Sequence, residues 1–169
     1  MSLMATIILG LDGMSLELLE LCRKDMPNLY GLLSKSAYTN AKSVFPLLSG
    51  PAWTSILTGQ SVGKHGFLNS FYYDDEMQVR ITQPEDVSEE HLYEIISRFG
   101  KKVFVMDVPF STSRKIKGDF LDSYFSTKEK HDQIVPADLV TRFPSIKKYL
   151  NYKPKIKNVN KNIRSFIKS

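Results

Sequence analysis

The sequence is poor in the residues that stabilise or anchor many extracellular proteins. It has one cysteine, Cys22, in 169 residues, and a single thiol can form no intrachain disulfide, which favours a reducing compartment. No stretch approaches the roughly 18 consecutive apolar residues of a membrane-spanning helix, and residues 7–11 are too short for the apolar part of a signal peptide. We therefore expect a cytoplasmic protein with no membrane partner.

The overall composition is that of a globular domain. Hydrophobic residues make up 42% and charged residues 24% of the chain, and its length fits about one domain with a core. Residues 1–3 precede a second methionine, Met4, and we interpret them as an expression leader. Residues 4–146 are expected to fold, and residues 147–169 are a basic C-terminal segment.

Positive charge is concentrated in that segment. Eight basic residues and no acidic one lie between Lys147 and Lys168, while the whole chain carries a formal net charge of +5. A basic tail can contact nucleic acid or anionic lipid. Because the segment has few aromatic side chains on which bases could stack, we favour a solvated helix or linker, and nucleic-acid binding is the weaker hypothesis.

An apolar run, residues 5–11, ends at Asp12 and Gly13. A run rich in β-branched residues and without polar alternation is typical of a strand buried in a parallel sheet. Ligands of such sheets bind at the carboxyl ends of the strands, which makes Asp12 a candidate site residue. The alternative is that Asp12 and Gly13 only form a turn.

A second candidate, Ser49, lies just ahead of a predicted helix. Pro51 suits the first turn of a helix and Gly59 its end. The free N–H groups and the positive dipole at a helix N-terminus attract phosphate and would favour the alkoxide form of a nearby serine. Ser49 could also be a simple helix cap. Thr54 and Ser55 are rival hydroxyls, which we rank lower because they fall inside the helix.

The rest of the chain alternates helices and strands. The patterns predict helices over residues 15–24, 26–33 and 86–99, strands over residues 38–44 and 102–108, and a hairpin over residues 71–82 that turns at Asp74-Asp75. Such alternation favours a three-layer α/β/α fold with a mainly parallel sheet. The aromatic residues 71–73 could line a substrate pocket or simply pack.

Five short motifs, together with the order in which they occur along the chain, are informative. They are Leu9-Gly10-Leu11-Asp12-Gly13, Met26-Pro27-Asn28-Leu29, Pro51-Ala52-Trp53-Thr54-Ser55, Leu57-Thr58-Gly59 and Gly63-Lys64-His65-Gly66. In this order they resemble the type I phosphodiesterase and nucleotide pyrophosphatase group of the alkaline phosphatase superfamily, over most of the chain. The resemblance implies an alkaline-phosphatase-like fold and hydrolysis of phosphoric esters.

The resemblance also implies roles for the matched residues. Asp12 corresponds to the first metal-binding aspartate, and Ser49 to the nucleophile that takes the phosphoryl group and also contacts a metal. The backbone of Gly50 is a candidate substrate-binding group. Members of the superfamily generally bind two divalent ions, here expected to be zinc with manganese as an alternative, which activate the attacking oxygen and neutralise charge on the phosphoryl group.

Two departures from the family pattern limit these expectations. Ala52 stands where nucleotide pyrophosphatases commonly have a phosphate-binding asparagine, which does not favour a nucleotide diester as substrate. The remaining metal ligands of the family, an Asp-x-x-x-His pair, an Asp-His dipeptide and a further histidine, are not matched by His65, His91 or His131. We therefore interpret residues 4–146 as the N-terminal part of a hydrolase domain that is inactive by itself.

Three hypotheses follow for the function. The first is a metal-dependent hydrolase that acts on a small phosphorylated substrate, a diester or a monoester, through Ser49. The second is a catalytically inactive, anion-binding remnant or regulatory protein. The third is a nucleic-acid binder that uses the basic segment. The sequence leaves the oligomeric state open.

Overall fold

The computed structural model describes residues 5–112, 116–121, 134–136 and 138–146. Its helices and strands follow one another in chain order. They are α1 (Leu16–Leu21), α2 (Pro27–Leu33), α3 (Ser49–Thr58), α4 (Val62–His65), β1 (Phe71–Tyr73), β2 (Val79–Ile81), a short 3-10 helix (Pro84–Asp86), α5 (Leu92–Arg98), β3 (Val103–Met106), β4 (Gly118–Leu121), β5 (Ile134–Val135) and α6 (Leu139–Arg142). None of these helices has the length and apolar character needed to cross a bilayer.

The first two helices form where the sequence predicts them. Ser15 caps α1, because its hydroxyl oxygen accepts the N–H of Leu18 at 3.1 Å. Pro27 begins α2, a position where its missing N–H costs no hydrogen bond. Both helices are short, and among their residues only Leu19 is fully buried.

Residues 5–11 and 38–44 form no strand, so the predicted buried strands are wrong for both segments. Ile7, Ile8 and Leu9 are 87%, 71% and 69% exposed. A strand exists only where its backbone N–H and C=O groups pair with a neighbouring strand, and no described strand pairs with either segment. The apolar pattern shows that these residues suit a sheet, but it does not show which strand would pair with them.

The predicted hairpin is confirmed by β1 and β2. They pair antiparallel, with Phe71 opposite Ile81 and Tyr73 opposite Val79. Asp74 holds the turn, because its carboxylate accepts the N–H groups of Glu76 and Gln78 and an Arg80 N–H at 2.6 Å. These three hydrogen bonds, of which the one from the Gln78 N–H has the largest effect, lower the pKa of the Asp74 carboxyl.

The second sheet contains β3, β4 and β5 and packs against α3 and α5. Strands β3 and β4 run parallel, whereas β4 and β5 run antiparallel. Val105 of β3 and Phe120 of β4 are buried against Leu57 of α3 and Tyr93 of α5. Of the three described strand pairs one is parallel, so the described part does not establish the mainly parallel, three-layer arrangement.

Helix α5 begins later than predicted. Its N-cap is His91, whose backbone N–H donates to the Glu94 carboxylate at 2.7 Å. Asp86, where the sequence predicted the helix to start, instead accepts the N–H of Gln83 at 2.8 Å and closes the short 3-10 helix. An acidic residue three positions after a polar one occurs several times in this stretch, and one such pair, Gln83 and Asp86, forms a turn of its own. The helix ends before Gly100, as predicted.

Candidate functional site

Helix α3 begins two residues earlier than predicted, which changes the place of Ser49. The N-cap is Leu48, and the first helical hydrogen bond runs from the Ala52 N–H to the Leu48 carbonyl at 3.1 Å. Ser49 is therefore the first residue of the helix and not the residue before it. The predicted end is confirmed, because Gly59 has a φ of 66°, which glycine adopts without steric cost.

The structure brings Asp12 and Ser49 together, although they are 37 residues apart in the chain. The Ser49 hydroxyl donates to Asp12 Oδ2 at 3.4 Å, which is longer than an ordinary O–H···O bond of about 2.7–2.8 Å and therefore weak. Both side chains are exposed. The free N–H groups of the first helical turn lie at the same place, because residues at the start of a helix have no acceptor within it.

A second contact joins the two segments one helical turn further along. Trp53 follows Ser49 by four residues, so the two side chains lie on the same side of α3. The indole lies directly against the backbone of Gly10, and a Cβ built on Gly10 would lie 2.3 Å from Trp53 Cη2. Gly10 precedes Asp12 by two residues, and the close approach is possible only because glycine has no side chain.

Aromatic rings pack behind the residue that follows Ser49. A Cβ built on Gly50 would lie 2.8 Å from Phe67 Cζ and 3.5 Å from Phe110 Cζ. The two rings meet edge to face, with centroids 5.0 Å apart and an interplanar angle of 88°. Phe110 has a φ of 57°, an uncommon conformation for a bulky residue. Gly50 is therefore confined by side chains from two other parts of the chain.

The rival hydroxyls of Ser55 and Thr54 lie in two different environments. Ser55 Oγ lies 2.8 Å from His65 Nε2, and His65 Nδ1 accepts the N–H of Phe67 at 3.1 Å. Since Nδ1 is an acceptor, the neutral imidazole carries its proton on Nε2 and donates it to Ser55. Burial lowers the pKa of His65, which favours this neutral form. The Thr54 hydroxyl is fully buried and has no hydrogen-bond partner among the described residues.

His91 takes part in a buried set of hydrogen bonds. It is buried, and its Nδ1 lies 2.5 Å from the Tyr93 hydroxyl. That hydroxyl donates to the Thr112 carbonyl at 2.9 Å and accepts the Thr112 N–H at 3.1 Å. These hydrogen bonds connect α5 to the loop after β3. His131, the remaining histidine, lies outside the described residues.

The donor set for a metal is incomplete in the described part of the chain. Asp12 and Ser49 offer a carboxylate and a hydroxyl oxygen at one place, and oxygen donors suit divalent cations. Residues 5–112, 116–121, 134–136 and 138–146 contain no group of three or more His, Cys, Asp or Glu side chains that could hold a metal ion. Since catalytic zinc usually has three protein ligands, Asp12 and Ser49 alone do not form such a site.

A cleft of about 430 Å³ lies next to the hairpin. Phe71 and Tyr72 form part of its wall, together with the polar residues Asn69, Thr82 and Asp86. Two of the three aromatic residues that the sequence offered as pocket-lining are therefore at a cavity. Its volume falls within the range of small-molecule sites.

Sequence reasoning missed the residues that pack around Asp12 and Ser49. Trp53, Phe67 and Phe110 are large aromatic residues of the kind that usually pack in a core, and their contacts connect distant parts of the chain. Gly10 carried a usable signal, because a glycine inside an apolar run often marks a place where another group approaches the backbone closely.

Comparison with known proteins gives one match. The model of the family described as type I phosphodiesterase / nucleotide pyrophosphatase matches residues 6–162. No curated protein and no solved structure matches the chain. The family consists of phosphoester hydrolases that generally depend on divalent metals, with an alkaline-phosphatase-like α/β fold. The chain therefore belongs to the type I phosphodiesterase / nucleotide pyrophosphatase family of the alkaline phosphatase superfamily.

Proposed function

We propose that Ser49 is the nucleophile of a phosphoester hydrolase. The observation that carries this proposal is the contact of 3.4 Å between the Ser49 hydroxyl and Asp12 Oδ2 at the N-terminus of α3. A serine at this place combines an exposed hydroxyl, a carboxylate that accepts its hydrogen bond, and unpaired backbone N–H groups. These are the groups that an anionic substrate and an attacking oxygen require.

The proposed reaction transfers a phosphoryl group in two steps. Ser49 Oγ forms a bond to phosphorus while the bond from phosphorus to the leaving alcohol breaks, and the serine proton ends on that alcohol. Water then cleaves the bond between phosphorus and Oγ and returns the proton to Ser49. The N–H of Gly50 is proposed to hold a non-bridging oxygen of the substrate, where the helix dipole also favours negative charge.

Two divalent metal ions, zinc or manganese, are part of this proposal. When bound they would lower the charge on the phosphoryl group and favour the ionised form of the attacking oxygen. Asp12 and Ser49 would hold one of them, and further ligands would have to come from outside the described residues. We further propose that the protein is cytoplasmic and acts on a small phosphorylated substrate. Its proposed fold is a three-layer α/β/α arrangement with a mainly parallel sheet that includes β3 and β4.

The test uses the complete gene product with Zn²⁺ or Mn²⁺. Hydrolysis of bis(p-nitrophenyl) phosphate is compared with that of p-nitrophenyl phosphate, so that diester and monoester activity are measured separately. Ser49→Ala is expected to lower kcat by at least about 10³-fold, because the attacking atom is lost. Ser34→Ala, an exposed serine in the turn after α2, is the matched control and should leave kcat unchanged. An unchanged rate in Ser49→Ala would refute the nucleophile assignment.

A second candidate function is an anion-binding protein without turnover. The absence of a three-ligand cluster among the described residues favours it. It predicts that the complete gene product binds inorganic phosphate near Ser49 but hydrolyses neither nitrophenyl ester with any divalent metal. The basic segment, residues 147–169, lies outside the described residues, so nucleic-acid binding by this segment stays a prediction.

A further inference from the structure

Helix α3 touches the segment that carries Asp12 at two points. Ser49 contacts Asp12 itself, and Trp53 contacts Gly10. The two helix residues are four positions apart and share one side of α3, while the two segment residues are separated by one position. The chain from residue 10 to residue 12 therefore lies along one turn of α3.

Little else in the described structure holds this segment. Residues 5–11 belong to no sheet, and the apolar side chains of Ile7, Ile8 and Leu9 face solvent. The contact between Ser49 and Asp12 is long for a hydrogen bond and cannot by itself fix the carboxylate. The indole, with its large apolar surface against the Gly10 backbone, is the stronger of the two attachments.

We propose that Trp53 is a positioning residue, whose indole against Gly10 holds the Asp12 carboxylate within reach of Ser49 Oγ. The inference rests on the proposed function for the roles of Asp12 and Ser49. The contact and its effect on the distance between the two residues can nevertheless be tested without turnover.

Gly10→Ala is the most direct perturbation. The added methyl carbon would lie 2.3 Å from Trp53 Cη2 and 2.8 Å from Cζ3, so either the indole or the segment has to move. Both atoms belong to the outer part of the indole, which phenylalanine lacks. Trp53→Phe should therefore make room for the added methyl group and restore the position of Asp12 in the double variant.

The first measurement is disulfide trapping in the Cys22→Ser, Asp12→Cys, Ser49→Cys chain. Because the Asp12 and Ser49 side chains are in contact, mild oxidation with oxidised glutathione should join the two cysteines. Gly10→Ala is expected to slow the reaction at least tenfold, and Trp53→Phe in the same chain should recover most of that loss. Gly31→Ala, where a Cβ meets nothing within 4 Å, is the matched control and should not change the rate.

The second measurement uses the fluorescence of Trp53, which is the single tryptophan of the chain. Gly10→Ala should shift its emission maximum and change its quenching by acrylamide, whereas Gly31→Ala should change neither. In the complete gene product, Gly10→Ala should lower kcat by about 10 to 100-fold with little change in KM, because a 1 Å displacement of a reacting group has effects of this size.

These outcomes separate the inference from the proposed function. If the two cysteines trap readily and Gly10→Ala does not slow them, Trp53 does not position Asp12, even if Ser49→Ala abolishes turnover. If the two cysteines do not trap in the parent chain, the contact that both proposals need is absent and both fail. If trapping slows and is rescued by Trp53→Phe but no ester is hydrolysed, the positioning role stands and the hydrolase assignment fails.

Discussion

Two regions meet at Ser49, and they differ in how their apolar residues are packed. On the C-terminal side, Gly50, Phe67 and Phe110 form a tight contact, and Leu57, Tyr93, Val105 and Phe120 form a buried core. On the N-terminal side, residues 5–12 and 38–48 are extended or irregular, and most of their apolar side chains are exposed.

The two halves of the candidate site are held in place to different degrees. Ser49 is fixed by its helix and by the aromatic rings behind Gly50, whereas Asp12 depends on contacts with α3. A well-packed region resists displacement, because each side chain fills space that its neighbours need. We therefore expect substitutions on the Ser49 side to act on stability, and substitutions on the Asp12 side to act on the geometry of the site.

The largest expected effect comes from a matched pair of phenylalanines, one in each region. Phe67 is 1% exposed and Phe45 is 86% exposed. Phe67→Ala should lower the free energy of unfolding by about 3–5 kcal/mol, because it removes a buried ring and leaves a cavity. Phe45→Ala should change it by less than about 0.5 kcal/mol. Urea denaturation followed by circular dichroism measures both, and equal losses would contradict the division into two regions.

Gly50→Ala tests the same contact with a single methyl group. Its Cβ would lie 2.8 Å from Phe67 Cζ and 2.9 Å from Cε2, so the ring or the helix must shift at a cost of about 1–3 kcal/mol. Gly63→Ala in α4 meets nothing within 4 Å and is the control. Alanine replaces glycine in a helix there, so we expect no loss or a gain of about 0.4–1 kcal/mol. If Gly50→Ala leaves the free energy of unfolding unchanged, the aromatic rings can move aside at little cost.

The sequence predicted best the features that depend on neighbouring residues. The hairpin forms because Asp74 bonds to the backbone of its own turn, and α1 begins where Ser15 can cap it. The predicted strands over residues 5–11 and 38–44 failed, because strand pairing depends on a distant segment that no local pattern identifies.

The candidate site, too, could be predicted from the sequence only where local patterns determine it. Asp12 and Ser49 could be named from the sequence because Asp12 follows an apolar run and Ser49 lies near the start of a predicted helix, and because the order of the motifs resembles that of one family. Their distance and the packing of Trp53 on Gly10 depend on how distant segments meet. An indole carries no signal of its own for such a role, because aromatic residues in helices mostly serve the core.

A smaller effect is expected at the hydrogen-bond group between α5 and the loop after β3. The Tyr93 hydroxyl bonds to both backbone groups of Thr112 and to His91 Nδ1. Tyr93→Phe leaves these buried groups without that partner and should cost about 1–3 kcal/mol in the free energy of unfolding. Tyr38→Phe, at an exposed tyrosine on the N-terminal side, should have no measurable effect. If Tyr93→Phe leaves the free energy of unfolding unchanged, other groups must replace the lost hydrogen bonds.

The smallest expected effect is a pH dependence that originates at His65. Burial lowers the pKa of His65 below its ordinary value, so the unfolded chain binds a proton more readily than the folded protein. Its contribution to stability is therefore complete above about pH 6.5, the ordinary histidine pKa, and is lost as the pH falls from there toward the lower folded pKa.

Protonation also removes the acceptor that His65 Nδ1 offers to the Phe67 N–H, beside the ring that supports Gly50. Unfolding in urea between pH 5 and 8 should therefore show stability that rises with pH, and His65→Asn should flatten this rise while keeping an acceptor for Phe67. Because His91 and His131 are unchanged in the variant, the difference between the two slopes belongs to His65. Identical slopes would show that His65 binds its proton equally well in the folded and the unfolded chain, which would contradict the lowering of its pKa by burial.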